Sequence, residues 1–506
     1  MKILRDYQKE AVEISLEKER GIVCLPTGSG KTAIQSQTLI EIFKKSPGFG
    51  VYMVLAPRII LSYQLMKEYY KELNENGIES WYCGLHSGRM DGDIKDFERL
   101  RNEDISFQHI ISTTNSSVLS QEIEKARSRN LPILIFSTYH SAPRSQKAMG
   151  DALFKFVICD EAHYLVENQF ESLVRPIEGL NSEKTIFYTA TMKHSTSTEG
   201  KGMNNPERFG EVIYQKIPRE IIEMGHMVRP RMHIVSFPDS DVNPEMLIQN
   251  AGKIIRECFM QHEYVSQRTG KILITCTGTP MMKSILKSTD LAQLQKRKGV
   301  KVYATASDDS IGNQIDGEKM GRQEFLRVLK EDGENPSIPM VVLHIDILTE
   351  GIDVPGITGI LPFRNLRASK FIQTLGRASR ICKEDQMSFL SGEYTHKDLG
   401  EMAKPYAWIM VPDVEGEDLR DEVGYMVGEL RSYGFNPWED VFISNDKGQM
   451  PPVVLLSPLV SPKKKNQFIF EVLEEIKHEI EDEEIAKLLE GKSIRELAET
   501  SKSGRL

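Results

Sequence analysis

The chain has 506 residues, more than one hydrophobic core usually serves, so two or three domains are expected. A composition of 40% hydrophobic and 27% charged residues is that of a globular protein, and a net charge of −9 excludes a generally basic nucleic-acid coat while leaving room for a local cationic cleft. There is no apolar signal region near Met1, no apolar run of membrane-spanning length and no C-x-x-C pair among the six cysteines, so a cytoplasmic protein with reduced, buried thiols is expected.

The first predicted strand, Gly21-Ile22-Val23-Cys24-Leu25, runs into Pro26-Thr27-Gly28-Ser29-Gly30-Lys31-Thr32 and then into a predicted helix, Thr32 to Phe43. Strand, glycine-rich turn and helix in this order make a phosphate-binding loop. Gly28 and Gly30 let the backbone curl so that its N–H groups face phosphate oxygens. Lys31 supplies a positive charge for the β- and γ-phosphates, and the Thr32 hydroxyl is a ligand for Mg²⁺. A tight turn that binds nothing is the plain alternative.

Further strands are predicted at Val51–Ala56, His109–Thr113, Ile133–Thr138, Phe154–Asp160 and Thr185–Ala190, then at Lys271–Cys276, Val302–Ala306, Met340–Ile345 and Ile357–Phe363. Each is rich in Val and Ile without polar alternation, and helical patterns lie between them. That suits parallel sheets covered on both faces. Proline and glycine between Glu211 and Phe237 mark the junction of the two series, and the strand–helix rhythm is expected to end after Pro412. Domains are accordingly placed at 1–230, 231–415 and 416–506, the last a mostly helical extension.

The strand Phe154–Cys159 ends in Asp160-Glu161-Ala162-His163, which sets two acids at a sheet's carboxyl edge, where ligands of α/β folds bind. Asp160 can hold Mg²⁺ through its water, and Glu161 can orient and deprotonate an attacking water. In the second half, Arg377 and Arg380 are three residues apart and share a helix face. Two guanidiniums there can reach a γ-phosphate across a cleft and stabilise charge in a transition state. A solvated basic face accounts for the arginines but not for Gln373 and Gly376.

Together, Thr27–Thr32 and Asp160–His163 resemble the DEAH-box side of the superfamily 2 helicases and translocases. The resemblance runs from about Arg5 to Arg380. It implies two tandem RecA-like domains with parallel sheets, with ATP and Mg²⁺ between them. Tyr7-Gln8 looks like the adenine-reading segment, with Gln8 facing the base. Leu55-Ala56-Pro57-Arg58 and Leu134–His140 look like nucleic-acid-contacting motifs and Lys271–Thr277 looks like the opening strand of the second RecA-like domain, with Arg58, Thr138 and Thr277 as candidate grips. Thr189-Ala190-Thr191 matches the motif that couples hydrolysis to domain movement. Leu348–Pro355 matches one that touches both ligands, which implicates Thr349 for nucleic acid and Gly351 and Asp353 for nucleotide. Gln373–Arg380 matches the last motif, with Gln373, Arg377 and Arg380 acting at the phosphates. The versions of the last two motifs are similar to those of the restriction-enzyme (type III restriction subunit-like) and repair branch, which implies DNA, with little sequence preference. An RNA helicase and a nucleotide-gated clamp in a restriction or defence complex are the alternatives.

In the extension, Phe468, Val472, Ile476 and Ile480 form an apolar stripe on a predicted helix, which packs on the core or holds a partner protein.

Overall fold

A computed structural model describes residues 4–85, 110–175, 179–195, 200–237, 247–345, 354, 356–363, 368–395, 397–414, 426–435 and 440–445. The stripe at Phe468–Ile480 and the motif residues Thr349, Gly351 and Asp353 lie outside the described residues.

Two sheets organise the chain. The first contains β1 (Arg20–Cys24), β2 (Val51–Ala56), β3 (Trp81–Leu85), β4 (Ile110–Thr113), β5 (Ile133–Thr138), β6 (Phe156–Cys159), β7 (Thr185–Thr189) and β8 (Glu211–Gln215). Their order is β4-β3-β5-β2-β6-β7-β1-β8, parallel throughout. The second contains β9 (Arg229–Phe237), β10 (Lys271–Thr275), β11 (Lys301–Thr305), β12 (Asn313–Ile315), β13 (Glu318–Lys319), β14 (Met340–His344), β15 (Gly359–Pro362), β16 (Tyr406–Val414) and β17 (Val441–Asn445). Its order is β13-β12-β11-β14-β10-β15-β16-β9-β17, parallel except for the β12–β13 hairpin at one edge. These are tandem RecA-like α/β lobes.

The inner strands are buried on both faces. Every residue of β2 and of β5 is buried, which is why their apolar runs show no alternation. Prediction is least informative at edges and ends. Trp81–Leu85 carries a glycine and a cysteine among its aromatics, and Val441–Asn445 is five residues standing alone beyond Pro412. The latter nevertheless pairs with β9, so the second sheet continues past the point where the sequence pattern stops. Of the helical extension, the described residues 426–430 are helical.

The lobes touch. One apolar cluster runs from the first sheet through Ile221, Ile222, Met227 and Val228 to Phe371 and Leu375 of the helix Ala368–Ala378. The connecting segment also bonds directly to that helix's end: Val228 N–H donates to Ser379 O at 2.8 Å, and Met227 bridges Arg380. Among the described residues no cysteine is in a disulfide, and no helix is long and apolar enough to cross a membrane.

The second lobe buries two histidines near Trp408. His262 Nε2 meets Thr358 Oγ1 at 2.8 Å, and His233 packs edge-on with its ring centroid 6.2 Å from that of Trp408. Burial pushes His262 down to about 3 and His233 to about 4. An unfolded histidine titrates near pH ~6.5. Below that pH the unfolded chain binds protons that the folded lobe refuses, so their contribution to stability is complete above pH ~6.5 and is lost as the pH falls toward 4. The second lobe is therefore expected to lose on the order of 5 kcal/mol between pH ~7 and ~4.5, read as a lower denaturant midpoint. His262→Gln is expected to flatten that dependence.

Candidate nucleotide site between the lobes

The loop that joins β1 to the helix Lys31–Lys45 turns on two left-handed glycines, Gly28 at φ 88° and Gly30 at φ 84°. Only glycine takes that backbone readily. Leu25 N–H donates to Thr189 O at 2.9 Å and anchors the loop's start to the neighbouring β7. Ser29 closes the turn, its hydroxyl donating to Pro26 O at 2.7 Å. Lys31 is buried, and its ammonium caps Leu25 O at 3.1 Å and Pro26 O at 3.3 Å. Thr32 is half-buried on the first helical turn. The Thr27 hydroxyl oxygen is buried with no hydrogen-bond partner.

The helix Ala368–Ala378 approaches this loop from the other lobe. A Cβ on Gly28 would sit 3.1 Å from Gly376 O and 3.2 Å from Arg380 Cγ. A Cβ on Gly376 would sit 2.5 Å from Thr27 Cβ. The two segments meet where Gly376 has no room for a side chain and Gly28 has little. Gln373 and Arg377 are buried on the same helix. Lys404, itself buried, donates to Arg380 O at 2.6 Å and holds the helix's exit.

Gln8 is placed against the loop rather than open to a base. Its Nε2 donates to Ser29 O at 2.8 Å and its Oε1 accepts from Arg5 N–H at 3.0 Å. Tyr7 adds a second donor to Ser29 O at 2.6 Å. Each amide atom of Gln8 makes one of these bonds, which leaves one N–H and one lone pair for an adenine edge.

The acids stand at the carboxyl end of β6. Asp160 is buried, and desolvation first, then the neighbouring Glu161 charge, raises its carboxyl to about 7, while Lys31 and Gln35 pull the other way. Glu161 adopts left-handed backbone, φ 49°, which is strained for a residue with a side chain. Its Oε2 is buried without a hydrogen bond and lies 3.5 Å from His163 Nδ1. The same ring nitrogen is 3.2 Å from Thr189 Oγ1, and that hydroxyl donates to Thr191 O at 2.7 Å. Burial depresses the His163 pKa, which favours the neutral ring. A contact path thus leads from Glu161 through His163 to both predicted coupling threonines.

The donor set fits a Mg²⁺-nucleotide: a left-handed glycine cradle, a lysine, a threonine on the first helical turn and one buried carboxylate. Among the described residues no group of three or more His, Cys, Asp or Glu could hold a metal by itself. Mg²⁺ bound by one or two protein ligands and phosphates needs no such group.

The predicted grips divide. Arg58 is exposed beyond the end of β2, and Thr277 is exposed beyond the end of β10. Thr138 is turned inward, 4% exposed, with its hydroxyl donating to Ser141 Oγ at 3.3 Å. The exposed side chain there is His140, packed edge-on against Phe170. Ala56 pairs with Thr138, so Arg58 and His140 leave neighbouring strands at the same height. Sequence reasoning passed over His140, Gln35 and Tyr139, whose hydroxyl donates to Asp160 O at 2.6 Å. His140 and Tyr139 directly follow a recognised strand end, which was the available signal. Gln35 had none beyond lying one helical turn after Lys31.

The profile of the family described as "Type III restriction enzyme, res subunit" matches residues 1–194. A "DNA 3'-5' translocase XPB2" from Sulfurisphaera tokodaii is 24% identical over 417 residues, which are 76% of this chain and 80% of that protein. Among solved structures, the ATP-dependent Type ISP restriction-modification enzyme LlaBIII bound to DNA has a TM-score of 0.65 at 17% identity. The match covers 94% of this chain and 32% of that enzyme, so the chain spans about a third of its length. A fragment of a putative HsdR subunit of a type I restriction enzyme from Vibrio vulnificus YJ016 scores 0.53 at 15% identity, covering 89% of this chain and 70% of the fragment. The DEAD-box helicase Mss116 bound to ssRNA scores 0.52 at 14% identity, covering 93% of this chain and 77% of that one, so the fold alone is shared by DNA-bound and RNA-bound proteins. Residues 1–194 thus match the restriction-subunit family, the chain is similar to a DNA translocase over three quarters of its length, and its fold is shared with these restriction enzymes and helicases.

Proposed function

We propose that the chain is an ATP-dependent motor that translocates along, or separates, nucleic acid, with DNA as the substrate and little dependence on its sequence. The observation that carries this reading is the meeting of Gly28 with Gly376 and Arg380. One nucleotide there is shared by two lobes that otherwise connect through the segment between Gln215 and Arg229.

In this reading the loop N–H groups and Lys31 bind the phosphates, and Thr32 and Asp160 hold Mg²⁺, which supplies charge neutralisation when bound. Glu161 takes the proton of the attacking water. Arg377 and Arg380 reach the γ-phosphate from the second lobe and stabilise the charge that grows on it. Closure is favoured while the γ-phosphate bridges the lobes and is lost with its release, a nucleotide-driven population shift. The path Glu161–His163–Thr189–Thr191 links the hydrolytic acid to the strand end nearest the loop. Arg58 and Thr277, one on each lobe, then grip phosphate oxygens at points whose spacing changes through the cycle; such contacts carry no base information. The preference for DNA draws on the translocase relative named above. A partner protein belongs, in this reading, with the 416–506 extension, through the apolar stripe at Phe468–Ile480.

Lys31→Ala and Glu161→Gln are each expected to lower ATP hydrolysis by about two orders of magnitude or more. Glu161→Gln is expected to keep ATP binding; its loss there contradicts the assigned role. ATPase stimulation by duplex DNA, single-stranded DNA and RNA tests the substrate, and stimulation by RNA alone defeats the DNA reading. Triplex and strand displacement separate translocation from unwinding, and a protein that binds nucleic acid without either is a clamp.

Gly376→Ala adds a methyl that must displace Thr27 or the helix. A displacement near 1 Å in such a site costs about a hundredfold in rate, so kcat is expected to fall by about ten- to a hundredfold while nucleotide binding to the first lobe persists. An unchanged kcat would show that the two backbones do not meet during turnover.

A further inference from the structure

Asp160 is held by two side chains that no motif in the sequence marks. Gln35 lies one turn beyond Lys31 on the helix Lys31–Lys45, and Tyr69 lies on the helix Ile59–Glu75. Both are fully buried. The Tyr69 hydroxyl donates to Gln35 Oε1 at 3.1 Å, and Gln35 Nε2 donates to Asp160 Oδ1 at 2.8 Å.

The chain of bonds has a direction. Tyr69 carries a phenolic O–H, kept protonated by burial, which offers a donor to the amide. That sets the Gln35 carbonyl toward Tyr69 and its NH₂ toward the carboxylate. The reversed amide would put a carbonyl oxygen against a carboxylate oxygen in a dry setting, leaving both without a donor. The main chain of Asp160 is already fixed, its N–H donating to Leu55 O at 2.8 Å and its carbonyl accepting from Tyr139 at 2.6 Å. Rotation of the carboxylate is the freedom that remains, and the amide restrains it together with the Glu161 N–H.

We propose that Gln35 and Tyr69 are positioning residues for Asp160. Gln35 donates to Oδ1, and Tyr69 sets the orientation of that donor. Because Gln35 shares a helix with Lys31 and Thr32, it keeps the carboxylate in register with the phosphate cradle. Outer groups that orient a ligand in this way govern metal affinity without touching the metal. The inference rests on the nucleotide-site reading above and deepens it.

The test is a Mg²⁺ titration of the affinity for a fluorescent ATP analogue, with a parallel measurement in EDTA, on the full chain carrying Gln35→Leu or Tyr69→Phe. Tyr69→Phe keeps the ring's edge-on packing against Phe136, 5.5 Å between centroids, and so preserves the fold. Gln35→Leu is expected to raise the Mg²⁺ midpoint about tenfold. Tyr69→Phe is expected to raise it less, in the same direction, and neither is expected to change affinity in EDTA. Variants that fold and titrate like the wild type overturn the relay alone. An equal loss of affinity with and without Mg²⁺ marks a merely structural role and also overturns it. A wild-type protein whose nucleotide affinity ignores Mg²⁺ overturns the site reading and the relay with it.

Discussion

The structure depends on a backbone-to-backbone approach between two lobes. A Cβ on Gly28 would crowd Gly376 O at 3.1 Å, and one on Gly376 would clash with Thr27 Cβ at 2.5 Å. Any larger residue there would hold the lobes apart, and the guanidiniums of the second lobe would stand off from the phosphate loop of the first. The approach is held from behind as well: Val228 bonds Ser379, Met227 bridges Arg380, and Lys404 caps the Arg380 carbonyl. The segment that joins the lobes is therefore bonded to the arginine-bearing element itself, so movement of one is felt by the other.

Around that contact, polar groups are buried where hydrophobic packing alone would be more stable. Asp160, His163, Gln35 and Lys31 all lie inside, and Glu161 holds a left-handed backbone. Each arrangement costs free energy, by desolvation or by strain. The compensation is local: amide to carboxylate, hydroxyl to carbonyl, ammonium to loop carbonyls. Groups so confined have few alternative positions, which is what a site that must not reorganise during reaction requires.

The parallel sheets explain where the site lies. In the first lobe every strand points the same way, so the ends of β1, β2, β5, β6 and β7 deliver the phosphate loop, Arg58, His140, Asp160 and Thr189 to one edge. The helix Ala368–Ala378 follows β15 in the second lobe and carries Arg377, whereas Arg380, expected on the same helix face, lies just past the helix end, bridged to Met227. The proposed nucleotide site would therefore join elements more than 300 residues apart in sequence, those of Gly28 and Arg377.

What the sequence determined by itself was whatever depends on local chemistry. The central strands are apolar because both faces are buried, so Ile133–Thr138 and Val51–Ala56 were legible to the residue. The glycines of the loop and the acids after β6 were legible because turn geometry and chemistry restrict those positions to few residue types. What only the tertiary structure decided was direction and partnership. Thr138 reads as a grip yet points inward to Ser141, while His140, in the turn after the strand, is exposed; once the strand ends, the turn's packing and not strand alternation decides which side chain is wet. Gln8 reads as facing a base yet is bonded to Ser29, and Gln35, an ordinary helical residue in the sequence, grips Asp160 across 125 positions. Val441–Asn445 joins the second sheet although its run is too short to stand out. Such pairings are made by contact between distant segments, and no local pattern of residues encodes them.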